Sequence, residues 1–335
     1  MRQTFFSCIF FLATLTTINL SAQSTYVKFL IDTSITIMKE NGVNAATVDW
    51  KNVRQTAMDK AAGINDPLQL GPVFRYLYQS ANDFHGAFFY KDSSFRWQRE
   101  GKIPDAIMNE WKKGVSITTK VLENNIGYIR MPSMPGGSKE DFDKKGQEMN
   151  DSLCSLLSKG VKAIVLDERL NGGGAMFPMI AGVQQLLEAG KVGSFETKNK
   201  QDWFLRDNNF YVDSNSLTTI HPKCLIKAQS MPLVVLIGPG TGSSGEFFLM
   251  TLTGRKNTLL LGEQTAGYIT VNTGFAINDT AFMNLAVGWG IDRLGKIRKE
   301  AIQPDKKMVA PDLFNDLLND EKVKAAIKWL RPKIQ

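Results

Sequence analysis

The chain has 335 residues, 43% of them hydrophobic, and its 40 lysines and arginines against 33 aspartates and glutamates give a net charge of +7. The surplus is small and the two signs are interleaved, which describes a solvated surface and argues against a nucleic-acid partner. Two histidines and three cysteines in no ligand-like spacing argue against a zinc site, and the apolar content suits one large domain or one with a helical appendage.

Arg2 precedes an apolar run, Phe5 to Leu15, and then the small-residue stretch Leu20-Ser21-Ala22-Gln23. This pattern predicts a secretory signal peptide over residues 1–22, cleaved after Ala22 or Gln23, and export to the periplasm or out of the cell. The run is too short for a spanning helix, and no later stretch approaches about eighteen apolar residues, so no membrane span is expected. Cys8 lies in the leader without lipobox spacing. Cys154 and Cys224 remain, and sequence alone leaves their pairing open.

From Ser24 to about Gly86 apolar residues recur at helical spacing, as in Val27, Phe29, Leu30, Val73 and Leu77. A helical stretch beginning at Asp66-Pro67 runs out at Asp83-Phe84-His85-Gly86, which places His85 near a turn. We read residues 23–120 as an N-terminal helical subdomain with its connection, and residues 121–335 as a second domain. From Ile126 short β-rich runs alternate with helical ones, the pattern of βαβ units, so the fold class is mixed α/β. A final amphipathic helix is expected over Leu313 to Leu330, with Asp312 as its N-cap.

Two segments carry chemistry. In Ile164 to Gly174 an apolar strand enters the turn Asn171-Gly172-Gly173-Gly174, whose backbone N–H groups can hold an anion. The turn lacks the Lys-Ser/Thr ending of a nucleotide-binding loop. In Leu233 to Phe248 a second strand, a glycine-rich turn and a helix start present Ser243 and Ser244 beside free helix N–H groups. That is favourable ground for acyl transfer, although taken alone either serine reads more readily as a cap.

These segments share an order with further pieces, and together they resemble the C-terminal-processing, or tail-specific, proteases. Ile126-Gly127-Tyr128-Ile129 resembles that family's opening strand "IGYI", and Leu166 to Gly174 resembles "LDLRxNxGG". Thr241 to Glu246 is similar to "TxSxxE", Gly262 to Gly267 to "GExTxG", and Ile302 to Asp305 to "GIxPD" with Ala301 in place of its glycine. The resemblance spans roughly Ile126 to Asp312. It implies a crotonase-like (ClpP/crotonase-type) catalytic domain, Ser243 as nucleophile, and the N–H groups of Gly173 and Ser244 as an oxyanion hole.

The departures matter equally. Tyr268 stands where the family's Ser-Lys members place their lysine, and the chain between Phe88 and Asn125 is too short for a PDZ domain. Asp83-Phe84-His85-Gly86 is similar to the "DxHS" segment of the tricorn-type subgroup, which implies His85 as the base, ahead of His221. For the acid that orients the imidazole the resemblance points to Glu300, with Asp292 as a rival. Glu246, in the first turn of a helix, is read as structural. The expected function is serine-type peptide hydrolysis through an acyl-enzyme, on peptide or protein substrates, with no metal or organic cofactor. The other reading is an inactive peptide- or lipophile-binding protein on the same scaffold.

Overall fold

The computed structural model describes residues 24–98 and 103–334. The expected leader lies outside them.

The strands Ile126–Arg130, Ala163–Asp167 and Leu233–Ile237 are buried along their whole length, as befits a parallel sheet covered on both faces. They run parallel, with Thr258–Gly262 and the short Lys306–Lys307 beyond one side and the antiparallel Thr118–Val121 at the other. Side chains alternate between the faces. Ile129, Ile164, Leu166, Val235 and Ile237 pack with the helices Lys139–Leu157, Met176–Gly182 and Ser244–Thr251. Tyr128, Ala163, Val165, Val234 and Leu236 pack on the opposite face against the helix Glu321–Leu330.

That last helix begins eight residues after the expected start. Its cap is Asp320, whose carboxylate accepts from Val323 N–H, while Asp312 instead pairs with Arg169 and Lys322. Two cations in the interior have a stronger claim on the Asp312 carboxylate than a helix terminus has.

A second sheet, nine-stranded among the described residues, is antiparallel. Its centre is Ala281–Ile291, which pairs with Thr270–Asn278 and Ile297–Arg298 and also with Ala87–Tyr90 and Gly190–Glu196. Gly190–Glu196 leads a meander through Gln201–Arg206, Asn209–Val212 and Asn215–Thr219, strands that the sequence reading did not anticipate.

The helices Thr25–Asn41, Trp50–Lys60 and Gly71–Ser80 form as the spacing predicts. Their buried side chains, including Leu30, Met38, Val73, Phe74 and Leu77, share one core with Phe88, Ala281, Met283 and Leu285 of the antiparallel sheet. Phe74 stacks on Phe88 with ring centroids 3.5 Å apart. The boundary near residue 120 therefore follows sequence order, and packing crosses it. Cys154, on the helix Lys139–Leu157, is bonded to Cys224, closing the pairing left open above.

Candidate active site

Three turns leave the carboxyl ends of neighbouring parallel strands and meet, the place where open α/β sheets build their clefts. Thr241 Oγ donates to Glu168 O at 2.8 Å, Gly242 N–H to Asn171 O at 3.0 Å, and Ala266 N–H to Thr241 O at 2.8 Å. The three turns are thus laced together by their backbones and the Thr241 hydroxyl. Ser243, just before the helix Ser244–Thr251, is held at φ 52°, ψ −119°. A non-glycine residue there costs about 1–3 kcal/mol, which the surrounding bonds must over-determine.

One of those bonds comes from Glu246. Its fully buried carboxyl accepts from Ser243 N–H at 3.0 Å, Gly267 N–H at 2.8 Å and the Thr265 hydroxyl at 2.5 Å, joining the serine turn to the third turn. Burial pushes this carboxyl up to about 7, against the donors that pull it down.

Gly173 touches the serine directly. A Cβ on it would lie 2.7 Å from Ser243 Cβ and 3.0 Å from Ser244 N, and its φ is +112°. Only glycine permits this approach. Its N–H does not face outward as the sequence suggested. It donates to Asn171 Oδ1 at 3.1 Å, because the buried Asn171 side chain is anchored by its own donation to Glu168 Oε2 at 2.7 Å. Ser244 heads the helix, where the first N–H groups have no partner within the helix. Its hydroxyl donates to Gly174 O at 2.6 Å.

His85 reaches Ser243 from the other half of the molecule. Asp83 Oδ1 accepts from the N–H groups of His85 and Gly86 at 3.0 and 2.7 Å, and Oδ2 accepts from Ala286 N–H at 2.9 Å. This carboxylate staples the histidine turn to the central antiparallel strand. A side chain at Gly86 would meet Tyr78, Asp83 and Asn284 within 2.7 Å.

The imidazole Nε2 lies 3.1 Å from Ser243 Oγ, and Nδ1 lies 2.9 Å from Thr270 Oγ. Thr270 gives its one hydroxyl hydrogen to Asn272 Oδ1 at 3.1 Å, so toward Nδ1 it acts as an acceptor. The ring proton is thereby placed on Nδ1, and the Nε2 lone pair faces the serine hydroxyl. Asn272 Nδ2 donates back to His85 O at 3.2 Å. Burial lowers the imidazole to about 4, with a hydrogen bond to the Thr270 backbone opposing, so the ring is neutral at neutral pH. Tyr268 packs edge-on against the ring, centroids 5.2 Å apart. The position of the missing lysine is filled by an aromatic wall of the histidine site.

Glu300 does not orient this histidine. It is exposed and lines a separate cavity with Leu249, Arg255 and Arg298, and the Nδ1 position it was expected to serve belongs to Thr270. Asp292 is engaged elsewhere too, accepting from Arg298 Nε at 2.7 Å and from the N–H groups of Leu294 and Lys296. His221 is exposed, and its backbone pairs with the Gln147 side chain. Asp83, Thr270 and Asn272 were missed as site residues. Asp83 carries a faint signal, a carboxylate two residues before a turn histidine, whereas Thr270 and Asn272 carry none until the sheet is assembled.

Below the glycine turns, Arg169 is fully buried and pairs with Asp167, Asp312 and Asp320, while Lys322 pairs with Asp312 and Glu263. The two guanidinium groups of Arg169 and Arg130 overcome the burial that would raise Asp167, and its carboxyl lies below the usual range.

A mixed α/β chain in which two glycine turns close on one serine, with a neutral imidazole against its hydroxyl, is built as a serine-type hydrolase. Residues 125–308 match peptidase family S41, and the chain belongs to that family: it is a serine-type peptidase. It is 27% identical over 299 residues to the nisin-resistance protein of Lactococcus lactis subsp. lactis, covering 89% of this chain and 85% of that one. It is 28% identical over 219 residues to the carboxy-terminal processing protease CtpA of Bacillus subtilis (strain 168), over 63% of this chain and 41% of the other, and so spans less than half of that relative. Among solved structures, a lipoprotein from Streptococcus agalactiae superposes with a TM-score of 0.69 at 20% identity, over 92% of this chain and 97% of that one, a likeness of fold.

Proposed function

We propose that the protein hydrolyses peptide bonds through an acyl-enzyme on Ser243, with His85 as general base. The observation that carries this reading is the 3.1 Å contact between His85 Nε2 and Ser243 Oγ, with the tautomer set from the far side of the ring by Thr270. His85 takes the hydroxyl proton as Oγ attacks the carbonyl carbon, and returns it to the amine as the C–N bond breaks. A water then attacks the ester, giving a proton to His85, which passes it back to Ser243 Oγ. The Ser244 N–H holds the oxyanion, joined by the Gly173 N–H when it exchanges Asn171 Oδ1 for the substrate oxygen. Glu246 fixes the backbone of the nucleophile turn.

The scaffold is read as crotonase-like, on the strength of the buried parallel strands whose carboxyl ends carry the two glycine turns. Export is supported by the Cys154–Cys224 disulfide, a bond of oxidising compartments, and by the relation to a nisin-resistance protein and a lipoprotein. Carboxy-terminal processing is the activity named for the Bacillus relative, and a peptide or protein substrate follows from the family.

Labelling of the purified protein with a fluorophosphonate, followed by intact mass and peptide mapping, tests the reading. One adduct is expected, on Ser243, and none in Ser243→Ala or His85→Ala. A folded wild-type protein that takes no label between about pH 6 and 9 would return us to the inactive binding protein on the same scaffold.

A further inference from the structure

Beside Ser243 lies a depression of about 410 Å³ whose wall also includes His85, Gly174 and Asn272. Four phenylalanines converge on it from four elements: Phe142 of the helix Lys139–Leu157, Phe177 of Met176–Gly182, Phe195 of Gly190–Glu196, and Phe247 of the nucleophile helix. We infer that this depression receives the side chain of one of the two residues flanking the bond cleaved, and that the favoured side chain is aromatic or large and aliphatic.

The inference rests on the reading of Ser243 as nucleophile and adds the substrate class. Phe142, Phe177 and Phe195 are only half-buried, so apolar ring surface stays uncovered within a concave wall beside the reacting hydroxyl. The rings are also fixed from behind. Phe142 meets Phe177 edge-on at 5.5 Å, Phe177 stacks on the buried Phe210 at 5.7 Å, and Phe195 packs against the buried Trp203 at 4.7 Å and Phe247 at 5.9 Å. Walls that need no ordering on binding keep more of the contact energy for the substrate. Among the described lining residues only His85 is titratable, so a carboxylate or ammonium side chain entering here would lose water without gaining a partner of opposite charge.

The test uses the purified full chain and internally quenched peptides identical except at the two residues flanking the cleaved bond, each varied through Phe, Leu, Ala, Asp and Lys. At one of these positions kcat/KM for Phe should exceed that for Ala by roughly 10- to 200-fold, with Asp and Lys below Ala. In Phe142→Lys, at a half-buried position on the helix, the Phe-to-Ala ratio should fall to within about threefold and the Asp peptide should gain on the Lys peptide. These readouts are ratios on one enzyme, so a loss of folded protein cancels. A flat series at both positions, or a ratio unchanged in Phe142→Lys, overturns the inference. Fluorophosphonate labelling of Ser243 in the same wild-type sample separates the two readings: an adduct with a flat series removes the subsite alone, whereas no adduct removes the nucleophile.

Discussion

Thr270 occupies the position on His85 that the sequence reading reserved for an acid, and it does so with a neutral hydroxyl. A hydroxyl fixes the tautomer but stabilises an imidazolium less than a carboxylate would, in keeping with a ring lowered to about 4. Thr270→Val keeps the shape and removes the acceptor. Its expected effect is a loss of roughly 10- to 100-fold in kcat with KM little changed, measured by steady-state peptide hydrolysis, because ring orientation matters more in the transition state than in binding.

The same ring sets the acid limb. An imidazole lowered from its ordinary 6.5 to about 4 is already unprotonated above about pH 5, so with His85 as the proposed base kcat/KM should be level through neutrality and fall tenfold per pH unit only below about 4. An acid limb centred near 6.5 that persists in Glu246→Gln, which removes the carboxyl that burial holds near 7, would show that the ring is not buried as described. Ser243 was legible because its spacing to Glu246 is local, whereas Thr270 was hidden because it lies 185 residues from His85.

At the scale of elements, the glycine turns were readable as strand-turn-helix joints, and they hold. What no turn motif could reveal was the bonding partner of Gly173 N–H, since that depends on the rotamer of a buried asparagine. The final helix teaches the same lesson: the sequence pointed to Asp312 as its cap, but that carboxylate is taken by the buried Lys322 and Arg169, and the helix starts later on Asp320.

The disulfide is the element-scale feature with the plainest energetic consequence. It ties the helix Lys139–Leu157 to a segment 70 residues on. Closing a loop of that length in the unfolded chain is worth about 4 kcal/mol in the chain-entropy model. Replacing both cysteines by serine should lower the unfolding free energy in denaturant by about 2–4 kcal/mol. The same midpoint in the paired and serine forms would show that the bond adds no stability.

For the whole molecule, the helices at residues 25–80 are part of the catalytic body, since they cover Ala281, Met283 and Leu285 and deliver His85 through the staple of Asp83 on Ala286. A chain cut to residues 121–335 would leave that face of the antiparallel sheet in water. It is expected to lack the cooperative thermal transition of the full chain by circular dichroism and to take no fluorophosphonate label. A truncated chain that melts cooperatively would show that residues 121–335 fold alone.

The sequence by itself determined the parallel strands, their glycine turns and the serine at the helix start, because each is written in contiguous residues whose periodicity and φ requirements are local. It also narrowed the histidine candidates for a base to two, His85 and His221. The tertiary structure alone decided what lies behind that histidine, that Asp320 and not Asp312 caps the last helix, how the Phe-lined wall assembles, and that Cys154 meets Cys224. Those contacts join segments separated by tens to hundreds of residues, and in each case the partner was chosen by competition among groups that only burial brings within reach.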